Sequence, residues 1–462
     1  MLGVLLAGVV TGWIVYMIAK KAYPVAVLLL AGIALMACGS AFHLGTVLGP
    51  KATTGSLVLD VFDAVRQLFA TRVAELGLSI MSMAGFSRYM DQVNASQALF
   101  DLVGAPLRRI RSTTLLLGLA FLVAQLLTPF VPSHAGHNLL LMVTMYPILI
   151  RLGVSRLSAL GTIGLSHFLD MGPGSGNIMY AAKALNMEAS VFYIKYQLPA
   201  TIPLILAVTV FNCFVQRWWD KREGPDLEGA AALEALQVQD KPTPPRIYAF
   251  LPMLPLVLLL GFCPLITEPF GFSIKMEPFT AMLISTLVSM LFEYVRLRSA
   301  TTALGTLKAF YEGMGKQFVM VVSLIVAGEI YAKGLVTVGA VTTVINAAQS
   351  AGLGAGAMII VGGAIIMVAA FLMGSGNAAF FSFGSLVPKI AEHLGVPGIT
   401  LILPLMTASG LGRTASPVTG ALVAIAGIAG VSSFQVAKRT CIPVIFAFIV
   451  GNVIFLWYFN LL

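Results

Sequence analysis

Apolar runs of about 17 to 22 residues recur along the chain, each long enough to cross a bilayer core as a helix. They predict ten spans at 2–18, 23–41, 73–90, 157–186, 197–216, 247–266, 277–298, 317–334, 398–430 and 441–460. Two of these, 157–186 and 398–430, are too long and too glycine-rich to be simple helices, and are expected to be broken. Two further apolar pieces, 113–131 and 355–373, end in the polar tips VPSHAGHN and GSGN, and returning arms reach Pro147 and Pro388. They predict re-entrant hairpins over 113–152 and 355–395. The stretches ahead of them, 91–112 and 335–353, are amphipathic and suit interfacial arms. The fold class that follows is an all-α polytopic membrane protein.

The tripeptide SGN stands at Ser175–Asn177 and again at Ser375–Asn377, but these copies do not mark one repeat. YPILIRLGVSRL, from Tyr146, resembles VPKIAEHLGVPGI, from Val387, and the KYQLP ending at Pro199 sits like the KRTCIP ending at Pro443. These matches set an offset of 242 to 244 residues. The first SGN then faces Thr419–Ala421, and the second faces the SHAGHN tip. Each half, 1–216 and 247–462, holds five crossings, a hairpin and a broken helix; an odd number of crossings predicts two inverted-topology repeats.

Composition agrees with a membrane protein, since 58% of the 462 residues are hydrophobic and 10% are charged, where a soluble chain carries roughly a quarter. The net charge of +9 reads as membrane orientation, because no basic stripe with interleaved aromatics points to nucleic acid. With ten crossings and two hairpins, nineteen of the 28 Lys and Arg residues fall on one face and seven on the other. The rich face is cytoplasmic by the positive-inside rule, which puts both termini outside and the charged connector 217–246 inside. Leu2 to Ile18 lacks a basic n-region and a cleavage site and is expected to remain as a helix. Cys38, Cys213, Cys263 and Cys441 lie singly in apolar segments, without metal or disulfide spacing.

Backbone that leaves the helix inside hydrocarbon survives only around a polar cavity or buried in protein, so four breaks imply a polar site near the midplane. Helix N-termini beyond the breaks offer N–H groups to an anion, and the freed carbonyls can hold a cation. The side chains and glycines placed to join them are Ser133, His134, Asn138, Ser175, Gly176, Asn177, Ser375, Gly376, Asn377, Arg413, Thr414, Ser416 and Thr419. Asp170 and Arg413 match under an offset of 243, and each costs roughly 2.5 to 3.5 kcal/mol at bilayer depth. Arg413 is able to fork onto a substrate carboxylate and Asp170 to bind a coupling ion; alternatively they pair with each other and lock the halves together. Two dipole ends suit a ligand with two carboxylates.

MGSGNAAFFSFGSLVPK, SGLGRTASPVTGALVAIAG and FQVAKRTCIPV resemble the motifs of the DcuC family of anaerobic C4-dicarboxylate carriers, in the ion transporter superfamily. The similarity runs nearly end to end, through RYMDQV, VQRWWDKREG and FYEGMGKQF. It implies a secondary active transporter of succinate, fumarate or malate in the inner membrane, a homodimer working by elevator-type alternating access. Exchange or coupling to Na+ or H+ is implied, with Asp170, Ser133, Asn138 and Asn377 as candidates for the ion and no other cofactor or metal. Family members end the first broken-helix motif in SGD where this chain has Asn177, and their first tip reads like SSATG; Asp170 is the residue placed to compensate. The competing readings are transport of another organic anion or an amino acid, a channel, and an intramembrane serine hydrolase using Ser175 or Ser375 with His134 or His167.

Overall fold

The computed structural model describes residues 2–20, 22–49, 52–105, 107, 110, 112–224, 244–271, 274, 276–340, 343 and 354–461; they contain helices and no strand. α1 (Leu2–Ala19) and α2 (Pro24–Ala41) lead into α3 (Leu57–Arg72), which passes through a π turn at Val73–Gly77 into α4 (Leu78–Gln92). The expected span 73–90 is thus the second part of one long helix. α5 (Ala95–Val103), within the expected interfacial arm, is short and buries Leu99 and Phe100. Then come α6 (Thr113–Leu127), α7 (His134–Thr144), α8 (Tyr146–Arg151), α9 (Arg156–Leu165), α10 (Gly176–Ala184) and α11 (Ala189–Val191). A π turn at Phe192–Gln197 opens α12 (Leu198–Glu223), which takes in the first residues of the expected connector. Residues 225–243 of that connector lie outside the described residues.

The expected span 247–266 is instead a 3-10 helix, Arg246–Met253, followed by α13 (Leu254–Gly261) and α14 (Pro264–Thr267); prolines 252, 255 and 264 interrupt a single α-helical ladder. α15 (Pro278–Leu297) and α16 (Ala300–Gln317) follow, and a π turn at Phe318–Val322 carries the chain into α17 (Ser323–Thr337). The expected span 317–334 therefore starts earlier, as its counterpart does. Residues 344–353 of the second interfacial arm are outside the described set. α18 (Ala355–Met373), α19 (Gly376–Gly384), α20 (Val387–His393), α21 (Ile399–Ala415), α22 (Gly420–Ile428) and α23 (Ser433–Tyr458) complete the chain. Seven helical stretches among the described residues are long and apolar enough to cross a membrane.

Two pairs of counterpart helices run antiparallel, as inverted copies would. Along the two long helices, Arg72 pairs with Glu329 at 2.6 Å, a Cβ on Gly77 would lie 2.9 Å from Val322, and Thr306 donates to Tyr89 at 3.1 Å. The two π turns meet where these helices cross. α12 and α23 are likewise antiparallel: the buried Arg439 reaches Asp220 at 2.8 Å and Glu223 at 2.6 Å, while Tyr458 at the far end donates to the Lys195 carbonyl at 2.9 Å. Arg439 also donates to Ser158 in α9, so one guanidinium ties three helices.

Small residues set the closest contacts, as expected where dispersion rather than hydrophobic burial joins helices in lipid. α2 packs on α17 so closely that a Cβ on Gly32 would lie 2.6 Å from the Ile330 carbonyl, whereas Gly8 in α1 has nothing within 4 Å. Gly32→Val is therefore expected to cost at least about 1–3 kcal/mol through overpacking. Thermal unfolding in detergent should show a clear loss for Gly32→Val and none for Gly8→Val.

Candidate functional site

Each of the four predicted discontinuities is present, and each is followed by a helix. α7 starts after 128–133, α10 after 166–175, α19 after 374–375 and α22 after 416–419. Ser133 and Ser375 cap their helices, accepting from Gly136 N and Ala378 N, both at 3.2 Å. Ser175 and Thr419 hold the corresponding positions without a side-chain cap bond. Gly374 adopts φ +65°, a left-handed conformation suited to glycine, where the chain reverses. α18 runs parallel to α21, with Gly363 beside Ala408, while α19 starts beside Ser409 and leaves toward Tyr180.

The carbonyls freed by the breaks find side-chain donors. Gln125 donates to the Ser166 carbonyl at 2.5 Å, and Gln197, in the π turn before α12, donates to the Asp170 carbonyl at 2.6 Å. In the second half Thr440 donates to the Thr414 carbonyl at 3.0 Å. Gln197 and Thr440 are 243 residues apart, so the last helix of each half satisfies the break in the same way.

The breaks converge. Gly172 in the first broken helix packs on Pro129 of the first tip, Gly410 of α21 touches the Phe168 carbonyl, and Gly374 of the second tip lies against Val418 and Thr419. At the centre, Arg413 Nη2 donates to Asp170 Oδ1 and Oδ2 at 3.1 and 3.2 Å and to the His167 carbonyl at 3.1 Å. Asp170 also accepts from Asn177 Nδ2 at 2.7 Å and lies 3.5 Å from His167 Nε2. The imidazoles of His134 and His137 sit 5.4 and 5.2 Å from that of His167, and Asn138 approaches His134 at 3.5 Å. Both charged residues are buried, Arg413 6% and Asp170 8% exposed.

Four helix starts therefore gather around one buried ion pair. The sequence as a whole matches C4-dicarboxylate anaerobic carriers over residues 2–459. The chain belongs to the DcuC family. It is 33% identical over 446 residues to a Vibrio cholerae protein described as a probable anaerobic C4-dicarboxylate transporter, an alignment covering 96% of this chain and 95% of that one. It is 32% identical over 425 residues to the anaerobic C4-dicarboxylate transporter DcuC of Escherichia coli K12, covering 92% and 90%. The crystal structure of the Alcanivorax borkumensis YdaH transporter, described as revealing an unusual topology, shares the fold with a TM-score of 0.63 at 10% identity, covering 95% of this chain and 98% of that one.

Within this DcuC chain the structure gathers His134, Asn138, Asp170, Asn177 and Arg413 at one point, with Gly376 beside Arg413. Of the two alternatives for Arg413, the pairing with Asp170 is the one present in this conformation. Position 177 carries an amide, yet a carboxylate lies against it from Asp170. Gly174 and Gly176 face Met83 and Ile80 of α4 instead of the ion pair. Asn377 and Thr414 bring buried oxygens without partners among the described residues, and Ser416 accepts from Val418 N at 3.4 Å. Ser375, a nucleophile candidate in the hydrolase reading, spends its oxygen on a cap, and membership of a carrier family removes that reading. The tip residue His137 and the hydrolase candidate His167 also join the cluster, whereas Gln197 was not foreseen; the spacing of three between His167 and Asp170 was an available signal.

Arg413→Ala should leave Asp170 buried without its cation and cost about 3–5 kcal/mol. Thermal unfolding of Arg413→Ala, Asp170→Ala and the double variant should show the double recovering most of the loss; additive losses would deny the coupling.

Proposed function

We propose that this chain is a secondary active carrier of C4-dicarboxylates such as succinate, fumarate and malate, with its substrate site at the four breaks. The observation that carries the reading is the buried Asp170–Arg413 pair lying between two broken helices in a member of the DcuC family. A substrate carboxylate is the chemical equivalent of the Asp170 carboxylate and competes with it for Arg413, while the second carboxylate is met by helix starts, each worth about 0.3–1 kcal/mol and up to about 2 when partly buried. Ser133, Ser375, Ser416 and Thr419 stand at or beside those starts.

A cation suits this arrangement, because a dianion next to an already neutralised Arg413 is under-compensated. Asn138, Asn177 and Asn377 each hold a buried amide oxygen without a partner among the described residues, hard donors of the kind Na+ prefers. His134, His137 and His167 offer the alternative of a proton. In this reading one Na+ or H+ accompanies the dianion, and the inverted halves work as a homodimer in the inner membrane. The parts carrying the hairpins move past the long helices in an elevator-type cycle, and both termini face outward.

Proteoliposomes filled with succinate should take up labelled succinate and exchange it for fumarate or malate; entry of citrate or ornithine in place of any C4-dicarboxylate would overturn the substrate assignment. Arg413→Lys should keep the fold and lower uptake severalfold, because a point charge replaces a forked donor. The Asp170→Ala, Arg413→Ala double variant should stay folded yet fail to transport; full activity there would reduce the pair to a lock. For orientation, Ser299→Cys should react with an impermeant thiol reagent only from the cytoplasm and Glu392→Cys only from outside, in a background with the four native cysteines replaced.

A further inference from the structure

A cavity of about 310 Å³, lined by both polar and apolar side chains, lies away from the ion pair. It sits between Thr46 after α2, Glu329, Lys333 and Thr337 of α17, and Ser385 and Lys389 at the base of the second hairpin. Its volume is in the range of small-molecule sites, roughly 300–1,000 Å³. Glu329 is its one carboxylate, and Arg72 Nε already holds that group at 2.6 Å. Neither Lys333 nor Lys389 has an ion-pair partner among the described residues. Arg72 is shared with Glu75 at 3.5 Å, and Lys183 meets Glu75 at 3.4 Å, so these four charges cancel and the cavity is left doubly positive by Lys333 and Lys389. The carbonyl end of α19 faces the same side with about half a negative charge, which two full positive charges outweigh.

We infer that this cavity is an outer capture site for a dianion, a C4-dicarboxylate under the DcuC reading on which the inference rests. The three segments that form it all fall on the face with fewer basic residues, the outer face by the charge rule. α19 then spans its nine residues, about 14 Å, from the cavity at Ser385 to the second tip at Ser375, so a ligand released inward has one short helix to pass. Charges lining a cleft raise the local concentration of an oppositely charged ligand and its on-rate, by about tenfold or more.

The test is succinate counterflow in proteoliposomes of fixed orientation, with Lys333→Gln, Lys389→Gln, the double Gln variant and the double Arg variant. The expected result is a rise of about tenfold in KM for external succinate in the double Gln variant, with kcat and KM for internal succinate near those of the native protein. The double Arg variant should keep the native KM, and the salt sensitivity of external KM should shrink in the Gln variants. An unchanged external KM, or an equal rise from both faces, would overturn the inference. If the native protein exchanges no dicarboxylate, the substrate reading falls; if it does and the variants match it, only the capture site falls. Should the double Gln variant fail to fold, the single variants carry the same comparison.

Discussion

Arg413 and Asp170 are each costly at bilayer depth, and each is tolerable because the other lies 3.1 Å away. The rest of the site hangs on that contact. Asp170 orients Asn177 and stands beside His167, whose ring in turn packs against His134 and His137, so one carboxylate organises side chains from the first hairpin and the first broken helix. Arg413 lies in the last turn of α21, where its charge also meets the negative end of the helix dipole. Taken apart, either residue would leave a buried charge; together they hold the two breaks in one register.

A second constraint is quieter. Every carbonyl released by a break needs a donor that lipid cannot supply. Gln125, Gln197 and Thr440 provide three of them, and the equivalence of Gln197 with Thr440 shows the two halves solving the problem from the same position with different chemistry. A glutamine reaches farther than a threonine, and the π turn at Phe192–Gln197, absent before Thr440, is the local adjustment that goes with it. The paired π turns at Val73–Gly77 and Phe318–Val322 show the reverse case, in which one local distortion is kept in both halves where the long helices cross.

The discontinuities were legible because glycine, proline and polar residues cannot hide inside an apolar run. The ion pair was legible as an alternative, since two lone charges 243 residues apart at matched positions have few partners to choose from. The long helices were not: residues 57–72 and 300–316 mix charged and apolar positions, so hydropathy cut each helix short, in the second case across the very stretch that packs on the first at Thr306, Phe310 and Gly313. The 3-10 segment at Arg246–Met253 was hidden for the opposite reason, because its composition is as apolar as a crossing and only the prolines hint at its geometry. Gln197 escaped because a polar residue on one face of an apolar helix gives no sign of which neighbour it meets.

Charge arithmetic links the two polar sites. A dianion drawn toward Lys333 and Lys389 has no Coulombic reason to move on to a cluster in which Arg413 is already neutralised by Asp170. Opening the pair frees a guanidinium, but it frees a buried carboxylate as well, so the sum at the site is unchanged and like charges then crowd one another. The balance alters only if Asp170 is relieved by a cation, whether a proton or Na+, before the substrate carboxylate takes its place on Arg413. On the proposed reading, a cation bound in that order would convert the closed ion pair into an anion site, and the dianion would leave a field of two lysines for one of an arginine plus helix dipoles. A carrier working as proposed would not let the substrate bind deeply without its ion, because the ion would free the positive charge to which the substrate binds.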